Sequence, residues 1–186
     1  MPAVPRPSSS PPSPAPARAT LSERLLSAAE LDEDDGRRLL ASARRLRRAT
    51  RDGAPVRLLK GRHVAIEGEM SPHHGADLFE IAATRLGARV SWIMSDLLLD
   101  DTSQAAAARV LPRLYDALEC NSMSAERALE LHRQVGVPVY LDLGGARHPI
   151  RGLLCAIASD TEAAPDRSPD EDLTLLMQAV LVETLT

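Results

Sequence analysis

The residues of this sequence best suited to chemistry fall in two short stretches, Ser71-Pro72-His73-His74-Gly75-Ala76-Asp77 and His148-Pro149-Ile150-Arg151. Serine caps helices well and proline suits the first helical position, so Ser71-Pro72 reads as a helix start with its free backbone N–H groups facing outward. Such an end attracts anions, and imidazole or guanidinium groups beside it add to that attraction. His73, His74, His148 and Arg151 are therefore the side chains from which a small-anion site would be built. No metal site is expected: the adjacent His73 and His74 point in different directions, Asp77 adds one carboxylate, and no third histidine is near. His148, ahead of a proline, reads as a local hydrogen-bonding residue at a helix start rather than a proton-transfer catalyst. Nothing in the sequence calls for a cofactor.

These stretches matter only if the chain brings them together, and the hydropathy pattern says how. Short apolar strands at 63–67, 89–94, 117–120 and 137–142 alternate with amphipathic helices at about 72–86, 104–114, 124–135 and 148–159. Every strand is followed by a crossover. The pattern predicts an α/β fold, a doubly wound four-stranded parallel sheet, flavodoxin-like in order and covered on both faces. In an open sheet of this kind ligands sit beyond the carboxyl ends of the strands, where helix N-termini point, and both stretches are placed there. Flanking helices complete the design. Thr20 and Glu23 have the form of a capping box, opening a helix through Leu25 and Leu26. Leu31, Leu39, Leu40, Ala43 and Leu46 recur at helical spacing over about 32–50, and Gly53 with Pro55 stops that helix.

The organisation expected is a Pro/Ser/Ala-rich disordered tail over 1–18, one domain over 20–159, a polar linker over 160–169 and a last helix over 170–185. In that helix Ser168 can cap, Asp170, Glu171 and Asp172 suit the positive end, and Leu173, Leu176, Met177, Val180 and Leu181 form an apolar stripe. At 186 residues the chain has room for one hydrophobic core and not for a two-domain enzyme. A net charge of −4 argues against general nucleic-acid binding. The arginines between Arg37 and Arg51 follow the acidic run Glu30 to Asp35 and read as a solvated helix face. Cys120 and Cys155 are too few for a disulfide framework and are expected as thiols. No apolar run is long enough for a membrane helix and no secretory layout is visible, so a cytoplasmic protein is expected.

Leu58-Leu59-Lys60-Gly61-Arg62-His63-Val64-Ala65-Ile66 resembles the entry to the carbamoyl-phosphate-binding domain of ornithine transcarbamoylases. Further segments keep register with the ornithine/aspartate transcarbamoylase family: Phe79-Glu80, Leu86-Gly87, Ala108-Arg109-Val110-Leu111, Tyr115-Asp116-Ala117, Val137-Pro138-Val139 and His148-Pro149. Gln178 to Leu185 is similar to the family's last helix, which folds back onto this same domain. The resemblance implies that the linker stands where the family has its amino-acid-substrate domain.

The resemblance also implies a loss. The family holds phosphate with a Ser-Thr-Arg-Thr-Arg loop at the start of the first crossover helix, and those positions are Pro72, His73, His74, Gly75 and Ala76 here. A family arginine after the third strand is Asn121, and the glutamine of a His-Pro-x-Gln segment is Arg151, after His148. The loop Asp100-Asp101-Thr102-Ser103 adds negative charge. Hydrogen bonds to a charged group are worth about 1.5–3 kcal/mol each, so losing three or four removes several powers of ten in affinity. The function expected is that of a transcarbamoylase-like protein, catalytically silent as a carbamoyltransferase. It would act as an oligomerising module, a homotrimer or a partner of a full-length transcarbamoylase. The alternative is a small enzyme or anion-binding protein with a site rebuilt for a small anionic metabolite. Neither reading involves nucleic acid or membrane.

Overall fold

A computed structural model describes residues 20–26, 31–68, 74–95, 101–159 and 168–186, without the side chains of 101–105. Residues 1–18, most of the linker, and Ser71, Pro72, His73 and Asp100 lie outside the described residues.

Two helices come first, α1 (Leu21–Leu26) and α2 (Glu33–Arg51). The Thr20 and Glu23 capping box closes α1, with the Thr20 amide donating to the Glu23 carboxylate at 2.7 Å. Asp32 caps α2 by accepting from the Asp35 amide, and three acidic residues fill its first turn. Then come β1 (His63–Glu67), α3 (His74–Arg85), β2 (Arg89–Ile93), α4 (Asp101–Leu114), β3 (Ala117–Cys120), α5 (Ala125–Val135) and β4 (Val139–Leu141). Ser124 and Gly136 bound α5 as N-cap and left-handed C-cap.

All pairings are parallel and the strand order is β2-β1-β3-β4, the doubly wound order expected. The strands alternate cleanly. Val64, Ile66, Ala117 and Tyr140 face the core made with α2 and α3, whereas Ala65, Leu118, Cys120 and Val139 face the core made with α4 and α5. The fourth crossover is less regular than the single helix its sequence suggests. A 3-10 turn (Pro149–Leu153) runs into a short helix, α6 (Leu154–Ala158), with Gly152, a poor helix former, near the junction.

The last helix, α7 (Pro169–Leu185), carries a full capping box between Ser168 and Glu171. It packs against α2, α3 and α6. Its apolar surface is wider than one stripe, since Leu175, Ala179 and Val182 are buried along with Leu173, Leu176, Met177, Val180 and Leu181. A helix apolar on most of its circumference belongs inside a core, and α7 fills the groove between α2 and α3. Arg47 of α2 donates to the Ile157 carbonyl at 3.1 Å and to Asp172 at 3.2 Å, a buried pair that ties three helices together. On the sheet side, the Tyr140 and Thr184 hydroxyls lie 2.5 Å apart.

Candidate functional site

The carboxyl ends of β1, β3 and β4 form a crest, and the residues there are fixed by the strands beneath them. His74 and Gly75 open α3, Asn121 and Ser122 follow β3, and after β4 His148 caps the 3-10 turn that contains Arg151. The fold thus collects on one crest the described members of the expected set. It does not leave them free.

Gly75 and Gly144 touch through their backbones. A Cβ built on Gly75 would come within 2.9 Å of the Gly144 carbonyl carbon, and one built on Gly144 within 2.5 Å of the Gly75 Cα and 2.7 Å of Met177 Cε. Both positions require glycine because the first turn of α3 rests on the loop after β4 with α7 behind it. Arg151 fastens that loop, its Nε donating to the Gly145 carbonyl at 2.8 Å and its Nη2 to the Gly144 carbonyl at 3.0 Å. The guanidinium is engaged with backbone oxygens. Asp142 turns the chain into the loop at a left-handed φ of 47° and accepts from the Gly145 amide at 2.7 Å. Its carboxylate folds over Gly145, where any Cβ would collide with it.

His148 caps the 3-10 turn, with Nδ1 accepting from the Ile150 amide at 3.3 Å, which places the ring proton on Nε2. Burial pushes its pKa down to about 4, aided by Arg151 and opposed by the backbone of Leu25. At neutral pH it is an uncharged, buried structural imidazole. His74 reaches the other way, its Nε2 3.0 Å from Asp170 Oδ2 at the start of α7.

Asn121 also works inward. Its side-chain amide donates to the Glu67 carbonyl at 3.0 Å and its backbone amide to the Glu67 carboxylate at 2.9 Å. Ser122 adds a backbone donor at 3.1 Å and its hydroxyl at 2.6 Å to the same carboxylate. Burial alone would raise the Glu67 pKa, but hydrogen bonds from Ser122, Ser95 and the Asn121 and Ser122 amides outweigh it and hold the group below its ordinary range. Its neighbour on the next strand behaves oppositely. Glu119 is fully buried, and burial, with Asp142 and Glu67 adding to it, pushes its pKa well above the usual carboxylate value despite the Leu143 amide donating at 2.8 Å. One crest thus carries a buried anion and a buried carboxyl biased toward the neutral acid.

Reasoning from the loops missed Glu67, Ser122, Glu119 and Gly144. The signal was there for the two acids, since a carboxylate inside an apolar strand such as His63-Val64-Ala65-Ile66-Glu67 or Ala117-Leu118-Glu119-Cys120 must find a partner or a proton. The Gly75–Gly144 contact has no sequence signal, because it depends on how two distant loops meet.

The arrangement is that of an open-sheet α/β domain of the kind that places ligands beyond its strand ends, with its described crest residues engaged by the chain's own backbone and carboxylates. Over 131 residues the chain is 34% identical to the ornithine carbamoyltransferase of Actinobacillus pleuropneumoniae serotype 5b (strain L20), covering 69% of this chain and 39% of that enzyme. No protein-family model matches. Among solved structures, the ornithine carbamoyltransferase from Pyrococcus furiosus superposes with a TM-score of 0.58 at 24% identity, over 67% of this chain and 41% of that one. The catalytic subunit of M. jannaschii aspartate transcarbamoylase gives 0.56 at 20%, over 69% and 43%. The chain belongs to the ornithine/aspartate transcarbamoylase family, and it spans about two fifths of the length of the curated relatives it matches.

Proposed function

We propose that this protein is a catalytically silent transcarbamoylase-like module whose role is assembly, with copies of itself as a trimer or with a full-length transcarbamoylase. The observation that carries this reading is the inward engagement of the described crest residues. Transfer of a carbamoyl group needs an anionic phosphate and a polarised carbonyl held by donors aimed at both. Here Gly75 stands against Gly144, Arg151 is engaged with the Gly144 and Gly145 carbonyls, and Asn121 serves Glu67. The positions Pro72, His73, His74, Gly75, Asn121, His148 and Arg151 lack the donor set that the family resemblance associates with phosphate. The stretch between Ser159 and Pro169 takes the place of a second domain, with α7 as the returning element. Val110 and Leu114, one turn apart on α4, are about half exposed at 50% and 53% and offer an apolar face to another subunit.

The alternative, an anion-binding protein or small enzyme with a site rebuilt on this crest, draws less support. The ionised Glu67 adds negative charge where the anion would sit. Two measurements on the pure protein test the proposal. Citrulline and carbamoyl-aspartate formation should stay at background, and any effect of carbamoyl phosphate on the melting temperature should be the same in Arg151→Ala, since a ligand held on the crest would lose it there. Turnover above background that is lost on substituting Arg151 overturns the silent reading. A 20 kDa particle by light scattering at micromolar concentration, with or without a full-length homologue, overturns the assembly reading.

A further inference from the structure

Away from the crest, at the opposite end of α3, the described residues line a half-open cavity of about 600 Å³. Its walls are the carboxyl end of α2, the segment that follows it, the end of α3 and one face of α7. The floor is apolar, formed by Val56 and Leu175, and Arg47, Arg51 and Arg85 converge on it from two helices. Gln178 is fixed at the edge by donating to the Ala82 carbonyl at 3.5 Å, and Glu171 is the one carboxylate among the described lining residues.

We infer that this cavity binds a small organic oxyanion, a phosphate monoester or a polycarboxylate, with Arg51 and Arg85 as its charge clamp. With Arg47 neutralised by Asp172, Arg51 and Arg85 against Glu171 leave a single positive excess among the described lining residues, and guanidinium matches phosphate and carboxylate oxygens in planar, two-pronged geometry. The volume lies inside the range of small-molecule sites, and an apolar floor with a few convergent polar groups is their usual construction. Basic residues in the last turns of α2 and α3 also complement the negative ends of those helices. That accounts for their charge and leaves the cavity between them unexplained. Arg47 is a wall rather than a clamp, since Ile157 and Asp172 hold it. Arg51, whose Nε lies 3.9 Å from an Asp52 carboxylate oxygen, and Arg85 are exposed and able to turn inward. Because α7 supplies one wall, an occupant would bridge α2, α3 and the last helix and strengthen their docking.

Calorimetric titration of the whole chain with inorganic phosphate, glucose 6-phosphate and citrate, each at fixed ionic strength, tests the inference. Binding of glucose 6-phosphate or citrate more tightly than inorganic phosphate is expected, because only the organic anions cover the floor. Arg51→Ala and Arg85→Ala should each weaken it by about tenfold or more. Both side chains are exposed, so the variants keep the fold, which circular dichroism checks. Arg37→Ala removes the same charge from the far end of α2 and should leave binding unchanged. Absence of heat with all three probes at millimolar concentration overturns the inference, as does an equal loss in the Arg37 variant. Binding that survives Arg51→Ala and Arg85→Ala but is lost in Arg151→Ala places the anion on the crest, and overturns it too.

Discussion

The crest of the sheet and the seam between α7 and its neighbours diverge in the use made of their side chains. Along the seam, apolar residues meet apolar residues, with Leu173, Met177, Val180 and Leu181 essentially inaccessible and a buried ion pair, Arg47 with Asp172, at its margin. On the crest, polar residues meet polar residues of the same chain, and donors that a ligand site would aim outward are turned onto Glu67 and the Gly144–Gly145 carbonyls. The difference teaches that a scaffold and a site are separable. Packing needs only shape and hydrophobicity, which many sequences satisfy, whereas a binding crest needs particular donors left unspent.

Breaking the seam should have the largest effect. Val180→Asp places a charge among Leu173, Met177 and their neighbours at a cost of several kcal/mol. Urea unfolding followed by circular dichroism should show loss of the cooperative transition or a large fall in its midpoint. An unchanged midpoint would mean that α7 contributes nothing to the core.

The crest should reveal itself through pH. His148 has its folded pKa depressed to about 4 from an unfolded value near 6.5. Its contribution is therefore complete above the unfolded value and is lost as pH falls from about 6.5 to about 4, amounting to on the order of 3 kcal/mol. His148→Asn retains an acceptor for the Ile150 amide and removes the titration, so the stability difference between the two proteins should vary across that window and be flat above it. A pH-independent difference would show that the imidazole is not buried neutral.

A smaller effect is expected from Ser122→Ala, which deletes the 2.6 Å hydroxyl bond to Glu67 and should cost about 2 kcal/mol at neutral pH. Because the Glu67 pKa is lowered in the folded state, that bond stabilises above the unfolded carboxylate pKa and fades as pH falls through the folded value. Thermal melts at neutral and acid pH should show the penalty shrinking on acidification. A penalty that grows instead would contradict an ionised Glu67.

Glu183→Ala should have the smallest effect. Glu183 lies on α7 near Val180, but its partner Arg45, 3.1 Å away, is 71% exposed, and pairs of that kind contribute about 0.5 kcal/mol or less. A loss comparable to that of Val180→Asp would erase the distinction between core and rim on which the comparison rests.

Much of the scaffold was legible because its physics is local. Short apolar runs in His63–Glu67 and Ala117–Cys120, buried on both faces, and the Thr20–Glu23 and Ser168–Glu171 boxes each act within a few residues, so the sequence alone determined four parallel strands and the helices between them. It also determined which positions reach the crest, since topology sends the residues after parallel strands to one edge. Only the tertiary structure decided what those residues do there. Arg151 is chemically able to hold an anion, and whether it does depends on two carbonyls, Gly144 and Gly145, brought to its guanidinium by the turn at Asp142. Glu67 and Glu119 are the same residue type on adjacent strands, yet one is surrounded by donors and the other by apolar burial, which drives their proton affinities apart. Propensity and periodicity are properties of neighbours in the chain, whereas hydrogen-bond partners and dielectric surroundings are properties of neighbours in space.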